Sequence, residues 1–220
     1  MILTKHNNFI GLLIGQLILI FTMPLLHYID EEIGKVILHT AIIGMILLTL
    51  IGNPRKGNWY KLIITLTVLE VIVLILATRL SDPSLTYLAI SLSLLFLVTS
   101  IVVAFKSVFF SPVITINQLV GASCIYLLLG IIWAILYSNL FFISPESFAG
   151  LSNENNKVHF PEFMYYSYVT LTTLGFGDII PVSPIAKTLS FMQAIVGQLY
   201  LTIMVAGLVG KAINRKATNN

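Results

Sequence analysis

The residues whose types and spacing best suit chemistry in this chain are Thr172-Thr173-Leu174-Gly175-Phe176-Gly177-Asp178. The reactive groups there are peptide carbonyls more than side chains. Glycine at alternate positions permits positive φ, which a residue with a Cβ resists. A backbone alternating between left- and right-handed regions turns successive carbonyls toward one side. With the Thr173 hydroxyl they form a ladder of hard oxygen ligands, suited to a dehydrated alkali cation. One chain supplies one wall only, so enclosing an ion demands several copies about an axis, a cyclic oligomer.

The elements that must position this segment are set by composition. The chain is 57% apolar and only 10% charged, against about 25% charged for a soluble domain. Its 12 basic and 9 acidic residues are too few to cover a water-facing surface. Disorder, nucleic-acid binding as a main task and a soluble enzyme are excluded, and the single Cys124 excludes a disulfide framework and a thiolate metal cage. A helix needs about 20 mostly apolar residues to cross a bilayer, and such stretches run over 9–28, 33–51, 62–80, 85–105, 118–142 and 185–213. Breakers separate them: Asp30-Glu31-Glu32, Asn53-Pro54-Arg55-Lys56-Gly57, Ser81-Asp82-Pro83 and Ser111-Pro112. The first stretch reads as a retained helix, because it is too long for a signal peptide and no small-residue cleavage site precedes Asp30. Residues 161–173 span only about 20 Å as a helix, too short to cross, and predict a re-entrant helix with Pro161 and Glu162 in its first turn. The polar loop that follows cannot face lipid and is tolerated only where protein buries it or where it lines a water-filled path. Ser183-Pro184 reads as the N-cap and first turn of the last helix. The expected fold class is an all-α membrane protein with six transmembrane helices.

Charge placement orients the chain. With both termini cytoplasmic, the inside receives Lys5, Arg55, Lys56, Lys61, Lys106, Lys211, Arg215 and Lys216; the outside receives Lys35, Arg79, Lys157 and Lys187. The inverted topology reverses that bias.

The segment Thr173-Leu174-Gly175-Phe176-Gly177-Asp178 resembles the filter signature Thr-x-Gly-Tyr/Phe-Gly-Asp of the potassium-channel pore family. Ser167-Tyr168-Val169-Thr170-Leu171-Thr172-Thr173 resembles the family's pore helix. The likeness covers residues 117–211 and is nearest to small bacterial six-helix channels. It implies a homotetramer of this chain with three further copies, in the bacterial cytoplasmic membrane, passing K+ with no cofactor and no nucleic-acid partner. It further implies that Thr173, Leu174, Gly175 and Phe176 bind K+ through their carbonyls, and that the Thr173 hydroxyl forms the innermost site. Gly177 would close the outer mouth, Asp178 would anchor the loop to the pore helix, and Thr172 would pack at that helix's C-terminus. Gly197, placed as the family's inner-helix hinge is, would bend at the gate; close helix packing is the other reading of that glycine. Leu201, Val205 and Val209 follow it at i+4 spacing and are candidates to line the cavity or to gate it by dewetting, with plain packing as the alternative. Two residues depart from the family's commoner pattern: Phe176 stands for tyrosine, and Tyr165 and Tyr166 lie where many relatives carry tryptophan.

The domain organisation read from these elements is 1–106, a four-helix sensor-like domain; 107–117, a connector; and 118–220, the pore domain. The fourth apolar stretch, 85–105, holds no Lys or Arg, so steep voltage gating, which needs charges moved through the field, is not expected. Glu70 is the acid at membrane centre, read either as a proton or ion sensor facing His39 or as a protonated carboxyl bonded to a hydroxyl or histidine. His27 and His159 lie near the outer boundary. The basic segment 53–61, with Trp59 and Tyr60, suits lipid anchoring. The stretch after Lys211 is too short for a regulatory domain, and none is expected. A secondary transporter would show paired broken helices, and only one filter-like segment is found. An enzyme would need converging acid, histidine and serine residues, which are not seen. Poor discrimination between potassium and sodium stays open because of Phe176.

Overall fold

The computed structural model describes residues 9–22, 58–80, 83–109, 115–152 and 160–218. Six helices run through them: α1 (Phe9–Thr22), α2 (Asn58–Leu80), α3 (Pro83–Phe109), α4 (Ile116–Ile143), α5 (Phe160–Leu171) and α6 (Pro184–Thr218). A 3-10 turn (Pro145–Ser147) and two short strands, β1 (Phe148–Ala149) and β2 (Ile180–Pro181), complete the set. The second apolar stretch, 33–51, with His39, lies outside the described residues, as do His27, His159 and 23–28.

Among the described residues, α4 and the Pro184–Gly207 part of α6 are long and apolar enough to cross a membrane. At 23 and 27 residues, α2 and α3 have the length for a bilayer too. They pack against each other, and α3 continues through Phe109. Helix α4 starts where its sequence caps it: Thr115 is extended and its N–H donates to Gln118 Oε1 at 2.6 Å, one half of a capping box.

The N-terminal helices fasten onto α4 at one end. Phe9 N–H donates to Asn117 Oδ1 at 3.2 Å; one helical run further, Gln16 Nε2 donates to the Cys124 carbonyl at 3.3 Å. That constant offset makes α1 and α4 parallel. Gly121 permits the approach, since a β-carbon there would lie 2.8 Å from Val108 and 2.9 Å from Phe9. The starts of α1 and α4 and the end of α3 therefore meet on one side. On its other side α4 carries the pore elements, with Ile125, Leu128, Ile131, Ile135, Tyr137, Phe163 and Leu171 all fully buried.

Candidate functional site

The short helix α5 is a 12-residue element, and polar contacts lock it between α4 and α6. Ser167 Oγ donates to the Gly130 carbonyl at 2.7 Å, and Tyr168 OH donates to the Leu127 carbonyl at 2.8 Å. Gln193 of α6 donates to both the Ser167 carbonyl (2.9 Å) and Ser167 Oγ (2.7 Å), while its Oε1 accepts from Tyr137 OH at 2.6 Å. Every polar atom of that buried carboxamide is thus used, which is what a low-dielectric interior demands. Around it, Phe148 meets Tyr137, Phe163 and Tyr166 edge-on at 5.2–5.6 Å, an arrangement favoured by the ring quadrupole. Gly130 lets Tyr168 lie flat on α4: a β-carbon there would come within 2.3 Å of the ring.

The helix ends in a Schellman motif. Leu174 N–H donates to the Val169 carbonyl at 2.9 Å and Thr173 N–H to the Thr170 carbonyl at 3.0 Å, with Thr173 left-handed at φ 60. Glycine normally fills that position; a β-branched residue there is strained by about 1–3 kcal/mol. Gly175 and Gly177 follow with φ 57 and 77. Left-handed residues thus recur at every second position through 173, 175 and 177, and the sequence reading anticipated the two glycines but not the threonine. Residues 172–178 are all exposed on the chain, Leu174 at 61% and Phe176 at 66%, so the segment runs along the outside of its own subunit.

Its outer end is held from two sides. Tyr165 OH donates to Asp178 Oδ2 at 2.6 Å, and Ile179 N–H donates to Oδ1 at 2.9 Å. The tyrosine hydroxyl is the main reason the Asp178 carboxyl sits below its ordinary range, and the same bond raises the Tyr165 phenol. From the other side β1 pairs antiparallel with β2, Phe148 opposite Pro181 and Ala149 opposite Ile180. The Ser147 carbonyl accepts Val182 N–H at 2.8 Å. Gly150, at φ 88, then passes so close that a β-carbon would lie 1.9 Å from the Asp178 carbonyl oxygen. Ser152 N–H closes the loop onto Glu162 Oε1 at 2.9 Å. The Gly150 approach depends on a partner 28 positions away that no local pattern announces.

The inner end is held by side chains. The Leu171 carbonyl accepts Tyr126 OH at 3.2 Å and rests on Gly197, whose added β-carbon would lie 2.5 Å from it. Tyr200 stacks on Tyr126 at 5.9 Å and donates to the Ala122 carbonyl at 2.6 Å. Thr172 Oγ1 donates back to the Tyr168 carbonyl at 2.6 Å, and Gln198 Nε2 reaches Thr173 Oγ1 at 3.4 Å. Gly197 is therefore in tight contact with the pore helix, the packing geometry weighed beside the hinge. Leu201 is half-buried and Val205 exposed; the Val209 side chain lies outside the described residues. Gln193 and Gln198 were passed over at the sequence level, although two carboxamides in the apolar middle of the last helix were a readable signal.

Away from the loop, Glu70 is buried and accepts Ser93 Oγ at 2.5 Å, so of the partners considered for it a hydroxyl is present. No group of three or more His, Cys, Asp or Glu residues that could hold a metal occurs among the described residues.

Residues 122–214 match a family model described as an ion channel. The chain is similar to a potassium voltage-gated channel protein, shk-1, of Caenorhabditis elegans, with 36% identity over 69 residues, 31% of this chain and 13% of that protein. It is similar to two-pore potassium channel 2 of Arabidopsis thaliana, 29% over 96 residues, 43% of this chain and 19% of that protein. Two pore potassium channel c of Oryza sativa subsp. japonica matches at 30% over 70 residues, 32% and 15%. The chain thus spans less than a fifth of the length of each of these relatives. No solved structure gives a significant match.

Proposed function

We propose that this membrane protein is a potassium-selective channel that conducts through the backbone oxygens of 173–177, a reading supported by the ion-channel family match over residues 122–214 and by the similarity to potassium channels. The observation that carries the reading is the left-handed backbone at Thr173, Gly175 and Gly177, directly after a re-entrant helix. Alternation of that kind turns consecutive peptide oxygens the same way, and a file of such oxygens replaces the hydration shell of a monovalent ion. Carbonyls of Thr173, Leu174, Gly175 and Phe176 bind K+, the Thr173 hydroxyl completes the innermost site, Gly177 ends the file, and Thr172 and Asp178 support it.

A single chain offers one exposed wall, so the assembly is a homotetramer around the axis that the filter lines. The burial contrast between the two crossing helices supports this: 56% of the apolar window of α4 is buried within the chain, but only 11% of that of α6. The outward face of α6 is left for other copies and for the cavity, where Val205 contributes, with Gly197 as the hinge. The chain crosses six times with both termini cytoplasmic in a bacterial inner membrane, and 1–106 is a sensor-like domain joined through 107–117 to the pore domain 118–220. Helix α3, running Pro83–Phe109, has Lys106 near its end as its basic residue, too little charge within the field for steep voltage dependence.

The test is a bilayer recording of the purified chain under opposed potassium and sodium gradients. A reversal potential near the potassium value is expected; one near the sodium value overturns the selectivity. Cross-linking that stops at dimers overturns the tetramer.

A further inference from the structure

The surface of α6 around its midpoint is apolar, with Ile195, Val196, Leu199 and Ile203 exposed, yet the exposed residue among them at 198 is glutamine. A carboxamide at membrane depth needs water or a polar partner, because hydrocarbon offers neither. Gln198 has such a partner in the filter itself: its Nε2 donates to Thr173 Oγ1. Thr202, one turn along the same face, is exposed as well, and its hydroxyl donates to the Gln198 carbonyl at 2.8 Å. Two independent features fix the height of this contact. Gly197 lets α6 press against the Leu171 carbonyl, which sets Gln198 level with the end of the pore helix. The left-handed φ of Thr173, strained for a β-branched residue, leaves its hydroxyl within reach of α6.

We propose that Gln198 is a positioning residue for the innermost ion site, acting through the Thr173 hydroxyl. The proposal rests on the potassium-filter reading above. A threonine hydroxyl has one proton and two lone pairs. Donation from Gln198 occupies one lone pair and restrains the rotor. The second lone pair is then available to a cation entering from the cavity, and the hydroxyl proton no longer turns freely toward it. In the tetramer each filter threonine has its own amide, supplied by the same subunit. The Thr202 hydroxyl is satisfied within α6 by its bond to the Gln198 carbonyl.

The experiment uses barium, a dication of nearly potassium's radius, applied from the cytoplasmic side to the full-length channel in bilayers. Gln198→Leu keeps size and removes the donor. Its half-blocking barium concentration is expected to rise about fivefold, the ratio that one neutral hydrogen bond is worth. In a Thr173→Ala background the same change is expected to add nothing, since the partner is gone; that non-additivity is what separates positioning through Thr173 from a general effect on the cavity. Should Thr173→Ala fail to assemble, Gln198→Asn serves: it keeps an amide but is one methylene short, and is expected to match Gln198→Leu. A Gln198→Leu block within about twofold of the parent, an undiminished effect in the Thr173→Ala background, or a parent-like Gln198→Asn each overturns the proposal. If the parent passes no potassium, the filter reading falls with it; if the parent conducts and Gln198→Leu is silent, only this inference falls.

Discussion

The two ends of the 172–178 segment are held by contacts of different kinds. At the outer end the loop bearing β1 lies directly on the filter backbone, with Gly150 against the Asp178 carbonyl and Val182 N–H on the Ser147 carbonyl. At the inner end the contacts are side-chain hydrogen bonds from Tyr126 and Gln198, plus the close approach of Gly197 to the Leu171 carbonyl. Steric contact between backbones has no slack, because neither partner can rotate away. Hydrogen bonds from long side chains lengthen or re-aim at modest cost. The expectation is that the outer end, where the closer of the two backbone approaches lies, is the more rigid one.

Four substitutions test that contrast, in falling order of expected effect. Gly150→Ala places a methyl 1.9 Å from the Asp178 oxygen at a φ of 88, and overpacking plus backbone strain should cost about 2–6 kcal/mol. The expected outcome is loss of the folded assembly or a large drop in melting temperature; parent-like melting would break the rigid-outer-end reading. Gln193→Leu removes the acceptor of Tyr137 OH and the two bonds to Ser167, for about 1–3 kcal/mol. Because Gln193 braces the pore helix between the two ends, its cost should appear in thermal unfolding without favouring either mouth. Gly197→Ala meets the Leu171 carbonyl at 2.5 Å, and relief by a small shift of α6 should limit the cost to about 1–3 kcal/mol. A cost above that of Gly150→Ala would reverse the comparison.

The smallest effect concerns pH. Tyr165 OH, ahead of the Ile179 N–H, depresses the Asp178 carboxyl below its usual 3.8. A depressed carboxyl contributes stability that is present above the unfolded-chain value and is lost as pH falls through the folded one. Tyr165→Phe should remove a small part of that stability at neutral pH and move the acid loss of outer-mouth integrity upward. Current recorded against falling external pH checks this; an acid limb identical to the parent's would show that Asp178 is held by something other than Tyr165.

Legibility in the sequence followed the range of the interaction. The glycine alternation at Gly175 and Gly177, the Ser183-Pro184 start of α6 and the shortness of α5 are local properties, and each was readable. Ser183 Oγ does accept Ala186 N–H, at 3.2 Å. The left-handed Thr173 was not readable, because its strain is sustained by the Schellman bonds and by neighbours from other elements. Gly150, Tyr126 and Gln198 were missed for the same reason: their partners are Asp178, Leu171 and Thr173, 28, 45 and 25 residues away respectively.

Hydropathy, breaker residues and the glycine spacing alone determined that this chain enters a membrane and carries a loop with left-handed glycines, because solvation free energy and allowed φ depend on residue type. Which hydroxyl caps which carbonyl, and which glycine must stay bare, was decided only when helices far apart in the chain came into contact. Short-range hydrogen bonds and steric limits depend on ångström distances, and one-dimensional order does not specify those.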